Sequence, residues 1–169
     1  RWVNRRSHPS IVDVATAQFY NGKMRASAEG RPPSAFEASP LALLEHRVIF
    51  LQASACAPAT QASQPRPRLT TSHRNVPEAE FVRRLFVGLT RYVSEQDILP
   101  MSVYKLQATR FPRGQAISAA QGCEASIAVY AITSYGVNKA SVQMSAVNVA
   151  LTRAQDLFLL VGDKECLVR

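Results

Sequence analysis

Apolar residues recur at helical spacing over residues 11–20, IVDVATAQFY, where Ile11, Val14, Ala15 and Phe19 fall on one side. Ser10 supplies an N-cap oxygen ahead of them, and Asn21-Gly22 a stop behind. The strongest helical pattern covers residues 76–93: Val82, Leu85, Phe86, Leu89 and Val93 share a face, Asn75 is placed to cap it, and Pro77, Glu78 and Glu80 suit its first turn. Arg83, Arg84 and Arg91 then point away from the core. Short apolar runs at 47–54, 98–103, 115–119, 127–132 and 157–161 predict strands, with helical segments at 104–111 and 147–154 and a turn of helix at 41–45. Strands alternating with helices predict an α/β fold, a three-layer α/β/α domain with a mostly parallel sheet of about five strands.

Between these elements the punctuation is uneven. Residues 26–46 carry Pro32, Pro33 and Pro40 and predict little regular structure. Residues 55–72 shift to Ala, Pro, Gln, Ser and Thr, the composition of a flexible surface loop that carries no chemistry.

At 169 residues, 47% of them hydrophobic, the chain has the length of one domain with a real core. Twenty Lys and Arg against twelve Asp and Glu give a net charge of +8, which suits a polyanionic partner. Cys56, Cys123 and Cys166 are odd in number and too far apart for a CxxC pair, which argues against a disulfide framework or a zinc site and for a reducing, intracellular compartment. No run approaches the roughly 18 apolar residues of a membrane span, and the N-terminus lacks the apolar core of a signal peptide. A soluble chain is expected. It begins at Arg1 with motif-bearing sequence inside the first ten residues, as a fragment of a longer protein would.

The stretch Val147 to Asp163, VNVALTRAQDLFLLVGD, carries the most specific chemistry: an arginine at a helix end, directly before a buried strand. In a parallel sheet that position faces a neighbouring domain. A guanidinium there is always charged and forks onto phosphate oxygens, and such a group contributes about 10³ to 10⁵ in rate to phosphoryl transfer. The plainer role for Arg153 is to complement the negative end of the helix dipole.

This stretch resembles motif VI of the superfamily 1 helicases of the DNA2/NAM7-like class, the group of the nonsense-mediated-decay helicase, senataxin and Aquarius, with NVALTRA matching seven consecutive residues. By that resemblance Arg153 is an arginine finger. Asn4 to Asp13, NRRSHPSIVD, is similar to the family segment that opens the second RecA-like domain; Arg6, His8 and Pro9 match, and Arg6 is implied as a second arginine facing the terminal phosphate. Arg5 stands where the family commonly has a tyrosine near the nucleotide. Two arginines suit a transition state whose charge spreads over several oxygens. His8 reads as a helix-entry residue.

Ser72 to Val82 resembles a family pattern in which Ser72, Asn75, Glu78 and Ala79 match, read as capping and packing residues. Asp97 to Phe111 resembles the strand and helix at the nucleic-acid edge, where Tyr104 and Gln107 match and are implied to contact a single strand. Gly114 to Ile132 resembles motif V: Gln121, Gly122 and Glu124 match, and the resemblance implies a Gln-Gly turn whose backbone approaches the nucleotide closely and a Glu124 carboxylate beside its sugar. Ser118, Ala120 and Ser126 replace the usual Asp, Phe and second Asp; Ser118 is nonetheless placed to face the nucleic acid. Ser145 and Ala146 replace a pair of arginines, and only residues 112–114 join the preceding helix to this motif.

There is no G-x-x-x-x-G-K-[ST] phosphate loop and no acidic magnesium box in the chain. The resemblance therefore implies the C-terminal RecA-like domain, the second half of an ATP-dependent helicase. Its ATP and Mg²⁺ would be engaged only together with an N-terminal RecA-like domain, its other partner would be single-stranded RNA or DNA, and it would have no hydrolysis of its own. The departures in motif V support a second reading, a non-catalytic remnant acting as a basic nucleic-acid-binding or protein-interaction module.

Overall fold

The computed structural model describes residues 2–29, 34–53, 60–61, 73–133 and 144–164. The chain opens with a parallel βαβ unit, strand β1 (Trp2–Asn4), helix α1 (Pro9–Phe19) and strand β2 (Met24–Ala26). Neither strand was expected from the sequence, because three residues are too few to show a period. Pro9 takes the first helical position, and the cap is His8, whose Nδ1 accepts the Ser10 N–H at 3.2 Å, so Ser10 lies inside the helix. Asn21 and Gly22 both adopt positive φ and reverse the chain as expected. Thr16 Oγ1 donates to the Met24 carbonyl at 3.0 Å, and the Trp2 ring stands edge-on to Tyr20 at 5.5 Å.

A 3₁₀ turn (Pro40–Leu43) leads to β3 (Val48–Gln52), and β4 (Thr60–Gln61) pairs antiparallel with β5 (His73–Arg74). The rest of the expected 55–72 loop lies outside the described residues, as do Pro32, Pro33, Ser72, Cys56 and Cys166. Helix α2 (Val76–Leu89) is followed by β6 (Ile98–Ser102), α3 (Lys105–Ala108), β7 (Gln115–Ala116), β8 (Ala125–Ala131), α4 (Met144–Leu151) and β9 (Ala154–Gly162).

The main sheet has the order β3-β9-β8-β6-β7 with every pairing parallel, the five-stranded architecture the alternation predicts. Its central strands are buried on both faces, which is why they read as unbroken apolar runs. Ile127, Val129 and Ala131 of β8 and Leu157, Leu159 and Val161 of β9 meet Val82, Phe86 and Leu89 of α2 on one face. Ala128, Tyr130 and Phe158 meet Ile11 and Ala15 of α1 and Ala150 and Leu151 of α4 on the other. Two layers of helix thus enclose the sheet, and Asn148 Nδ2 donates to the Tyr20 hydroxyl at 3.2 Å, tying α4 to the N-terminal unit.

Several boundaries moved. The strand expected at 115–119 stops at Ala116, although the Ile117 N–H still donates to the Ser102 carbonyl at 3.0 Å; the chain then turns, with Ala119 and Ala120 both bonded back to Ala116. Residue 114 must be glycine, since a Cβ there would lie 2.2 Å from the Ala108 carbonyl oxygen, and this close approach is how so short a connection is made. Ala154, expected at a helix end, is the first residue of β9. Val93 lies beyond α2 yet remains buried in the same core.

Candidate functional site

Parallel pairing decides which loops become neighbours. Ala125 of β8 is in register with Ala154 of β9, so the residues entering those strands, Glu124 and Arg153, stand side by side at the amino edge of the sheet. The Ala125 N–H donates to the Arg153 carbonyl at 3.2 Å. Arg6 is delivered to the same edge from the other end of the chain. Asn4 Oδ1 accepts the N–H groups of Arg6 (2.9 Å) and Ser7 (3.0 Å), folding the turn before α1, and the His8 N–H docks that turn on the Gln155 carbonyl at 2.6 Å. Arg6 then forms an ion pair with Glu124, whose other oxygen accepts from Gln155 Nε2 at 3.3 Å.

The Arg153 guanidinium is half-buried and firmly placed. Its Nε donates to the Val149 carbonyl at 3.2 Å, Nη1 to the Cys123 carbonyl at 3.3 Å and Nη2 to Thr152 Oγ1 at 3.4 Å. The first of these engages a last-turn carbonyl of α4, so the helix-terminal role is real. An arginine carries five N–H donors, and three bonds leave about two. One side chain can cap its helix and still present a charged fork.

Gln121 and Gly122 are exposed in the turn before Glu124, and Gly122 has φ +88°, a left-handed conformation that favours glycine. Nothing lies within 4 Å of where its Cβ would be, so backbone conformation, and no close contact within this chain, calls for glycine there. Cys123 Sγ donates to Gln115 Oε1 at 3.4 Å. Ser118 is exposed in the turn after β7, at the opposite, carboxyl edge of the sheet.

Tyr104 and Gln107 are placed differently from the surface role the resemblance implies. Gln107 is fully buried: its Oε1 accepts the Asn75 N–H at 2.8 Å, and its Nε2 donates to the Asn75 carbonyl at 3.0 Å and to Glu78 Oε1 at 3.3 Å. All its polar capacity is directed into the domain. Tyr104 is 8% exposed with its ring against His73, centroids 4.8 Å apart, so little of it can stack on a base. The physical reason is that Asn75, the cap of α2, is buried, and its backbone N–H finds its partner in the Gln107 side chain.

Glu78 is the residue whose importance the sequence understated. Asn75 caps α2 through Oδ1 to the Glu78 N–H (3.1 Å), but the Glu78 carboxyl does not return to the cap. It crosses to the end of β8, where Oε2 accepts the Thr133 N–H (3.1 Å) and Oε1 accepts from Thr133 Oγ1 (3.0 Å). Thr133 has φ +67°, strained for a β-branched residue, and its hydroxyl lies 3.0 Å from that of Ser102. Burial first, then the nearby Tyr104 and Glu78, pushes the Tyr130 hydroxyl well above the usual phenol range. Asn75-x-x-Glu78 was the available signal, but it cannot announce a partner fifty-five residues away.

A cavity of about 230 Å³ lies between the ends of β1 and β2 and the start of α1, lined by Asn4, Arg5, Ser7, His8, Ser27 and Glu29 among others. Arg5 stands 3.9 Å from Glu29, both well exposed. Among the described residues no group of His, Cys, Asp or Glu could hold a metal ion, and no helix is long and apolar enough to cross a membrane.

Compared with known families, residues 2–165 match the AAA_12 model, described as an AAA domain. No curated protein matches the chain.

Proposed function

Because the chain belongs to the AAA_12 family, the C-terminal domain of DNA2/NAM7-like helicases, we propose that it is the second RecA-like half of an ATP-dependent helicase motor and supplies arginines to a nucleotide held by another domain. The observation that carries this reading is the convergence of Arg6, Glu124 and Arg153 from three separate segments on one edge of the sheet. Two guanidiniums beside one carboxylate complement a nucleoside triphosphate, which offers anionic oxygens at one end and sugar hydroxyls at the other.

In the complete motor, ATP would lie on the phosphate loop of an N-terminal RecA-like domain, which would also hold Mg²⁺. Arg153 and Arg6 would reach the γ-phosphate across the cleft and neutralise the charge that spreads over its oxygens in the transition state. Glu124 would accept from the ribose hydroxyls, with Gln121 and Gly122 forming the turn that approaches the nucleotide. Single-stranded RNA or DNA would meet the exposed turn around Ser118, drawn by the net charge of +8. Tyr104 and Gln107 would support that edge from within.

The test joins the chain to a phosphate-loop RecA-like domain and measures strand-stimulated ATPase. Arg153→Ala should lower kcat by about 10³ or more with nucleotide affinity little changed. Since Arg153 also caps α4, Arg153→Lys provides the control: it keeps the charge, loses the fork, and should still be severely impaired. Full turnover by both variants would overturn the assignment and favour the non-catalytic binding module.

A further inference from the structure

The Arg6–Glu124 pair has a consequence for how a polyphosphate is admitted. Arg6 is anchored by its backbone in the Asn4 turn, so only its side chain can be redirected. That side chain is 66% exposed, yet its charge is occupied by a carboxylate of the same domain. Glu124 is only 24% exposed, and its second oxygen is oriented by Gln155. Gln155 serves both partners, since its carbonyl receives the His8 N–H that docks the Arg6 turn while its amide holds Glu124. Arg153 differs: three of its donors go to neutral oxygens of Val149, Cys123 and Thr152, and among the described residues it has no counter-ion to give up.

We propose that Glu124, oriented by Gln155, is an internal counter-ion that holds Arg6 until a polyphosphate displaces it. Without a nucleotide the pair keeps the arginine ordered and its charge masked. On entry, phosphate oxygens take Arg6, and the released carboxylate turns to the sugar hydroxyls. Arg6 and Glu124 are then committed together, so a bare anion must overcome the ion pair unaided while a nucleoside triphosphate offers new partners to both. Gln155 acts as a positioning residue. This inference rests on the proposed nucleotide-facing role of the edge and adds a threshold to it.

The chain by itself suffices for the test, with inorganic triphosphate as the probe, titrated at low ionic strength and followed by NMR shifts of the amino-edge amides. Glu124→Gln keeps the shape and removes the charge; it should bind triphosphate about two- to fivefold more tightly than the wild type, the range expected for loss of a partly exposed ion pair. Glu95→Gln, exposed and outside this cluster, changes net charge by the same amount and should leave the affinity unaltered. Adding Glu124→Gln to Arg6→Ala should give no gain over Arg6→Ala alone. The proposal fails if Glu124→Gln binds no more tightly than the wild type, if Glu95→Gln gains as much, or if the gain persists without Arg6. Failure of the helicase reading would appear separately, as undiminished ATPase in the Arg153 variants.

Discussion

Replacing Gln107 by leucine separates a buried structural role from a nucleic-acid contact. The substitution keeps the approximate volume but removes three hydrogen bonds, and these are unequal. The Asn75 carbonyl keeps the Ala79 N–H at 3.0 Å, and Glu78 Oε1 keeps the Thr133 hydroxyl at 3.0 Å. The Asn75 N–H loses its Gln107 partner at 2.8 Å, and an orphaned buried donor costs about 1–3 kcal/mol. Loss of the 3.3 Å bond to the Glu78 carboxyl adds about 1 kcal/mol, below the usual range for a charged acceptor because the bond is long. The sum, about 2–4 kcal/mol, is a large part of the roughly 5–15 kcal/mol that holds a domain of this kind. It corresponds to a fall in Tm of about 4–16 °C for a chain of this length. Urea denaturation should show a lower midpoint with an unchanged slope, while the folded variant keeps the wild-type affinity for a single-stranded oligonucleotide. A stability change below about 0.5 kcal/mol together with weakened strand binding would refute the argument and return Gln107 to the surface.

Three further outcomes are expected. The Tyr130 hydroxyl is raised in the folded state, so the neutral form is favoured there; this stability is fully present below the unfolded phenol value of about 10 and is lost as pH rises above it. Denaturation midpoints measured on the alkaline side should therefore fall more steeply for the wild type than for Tyr130→Phe, and parallel pH profiles would contradict this. Gly114→Ala drives a Cβ into the Ala108 carbonyl and should destabilise by about 1–3 kcal/mol or more. Gly88→Ala, inside α2 with nothing within 4 Å of the new Cβ, should stabilise by about 0.5–1 kcal/mol, and calorimetry on the pair would expose a misjudged environment at either site.

The legible part of the fold was the part with a period. The α2 face of Val82, Phe86 and Leu89 repeats often enough for burial to be read directly, and Asn75 declared its cap because the partner lies three residues away. Strands β6, β8 and β9 showed as apolar runs because both of their faces are covered. By contrast, β1 and β2 are too short to carry a pattern, and β7 ends early because the chain turns back on Ala116. At the site, Arg153 was legible from NVALTRA and its position between helix and strand. Gln155, two residues on, had no motif to mark it.

The sequence by itself determined the types of the longer elements, the parallel three-layer arrangement and the identity of the charged groups, because local periodicity, caps and contiguous motifs carry that information. The tertiary structure decided which of those groups meet. It paired Arg6 with Glu124, tied both to Gln155, and gave Arg153 three oxygens of its own domain. It also turned Gln107 and Glu78 inward, where the sequence could be read as offering Gln107 to a strand. Each of these outcomes depends on register and packing between segments 29 to 147 residues apart, except where Arg153 bonds within its own turn, and no local pattern encodes such a meeting.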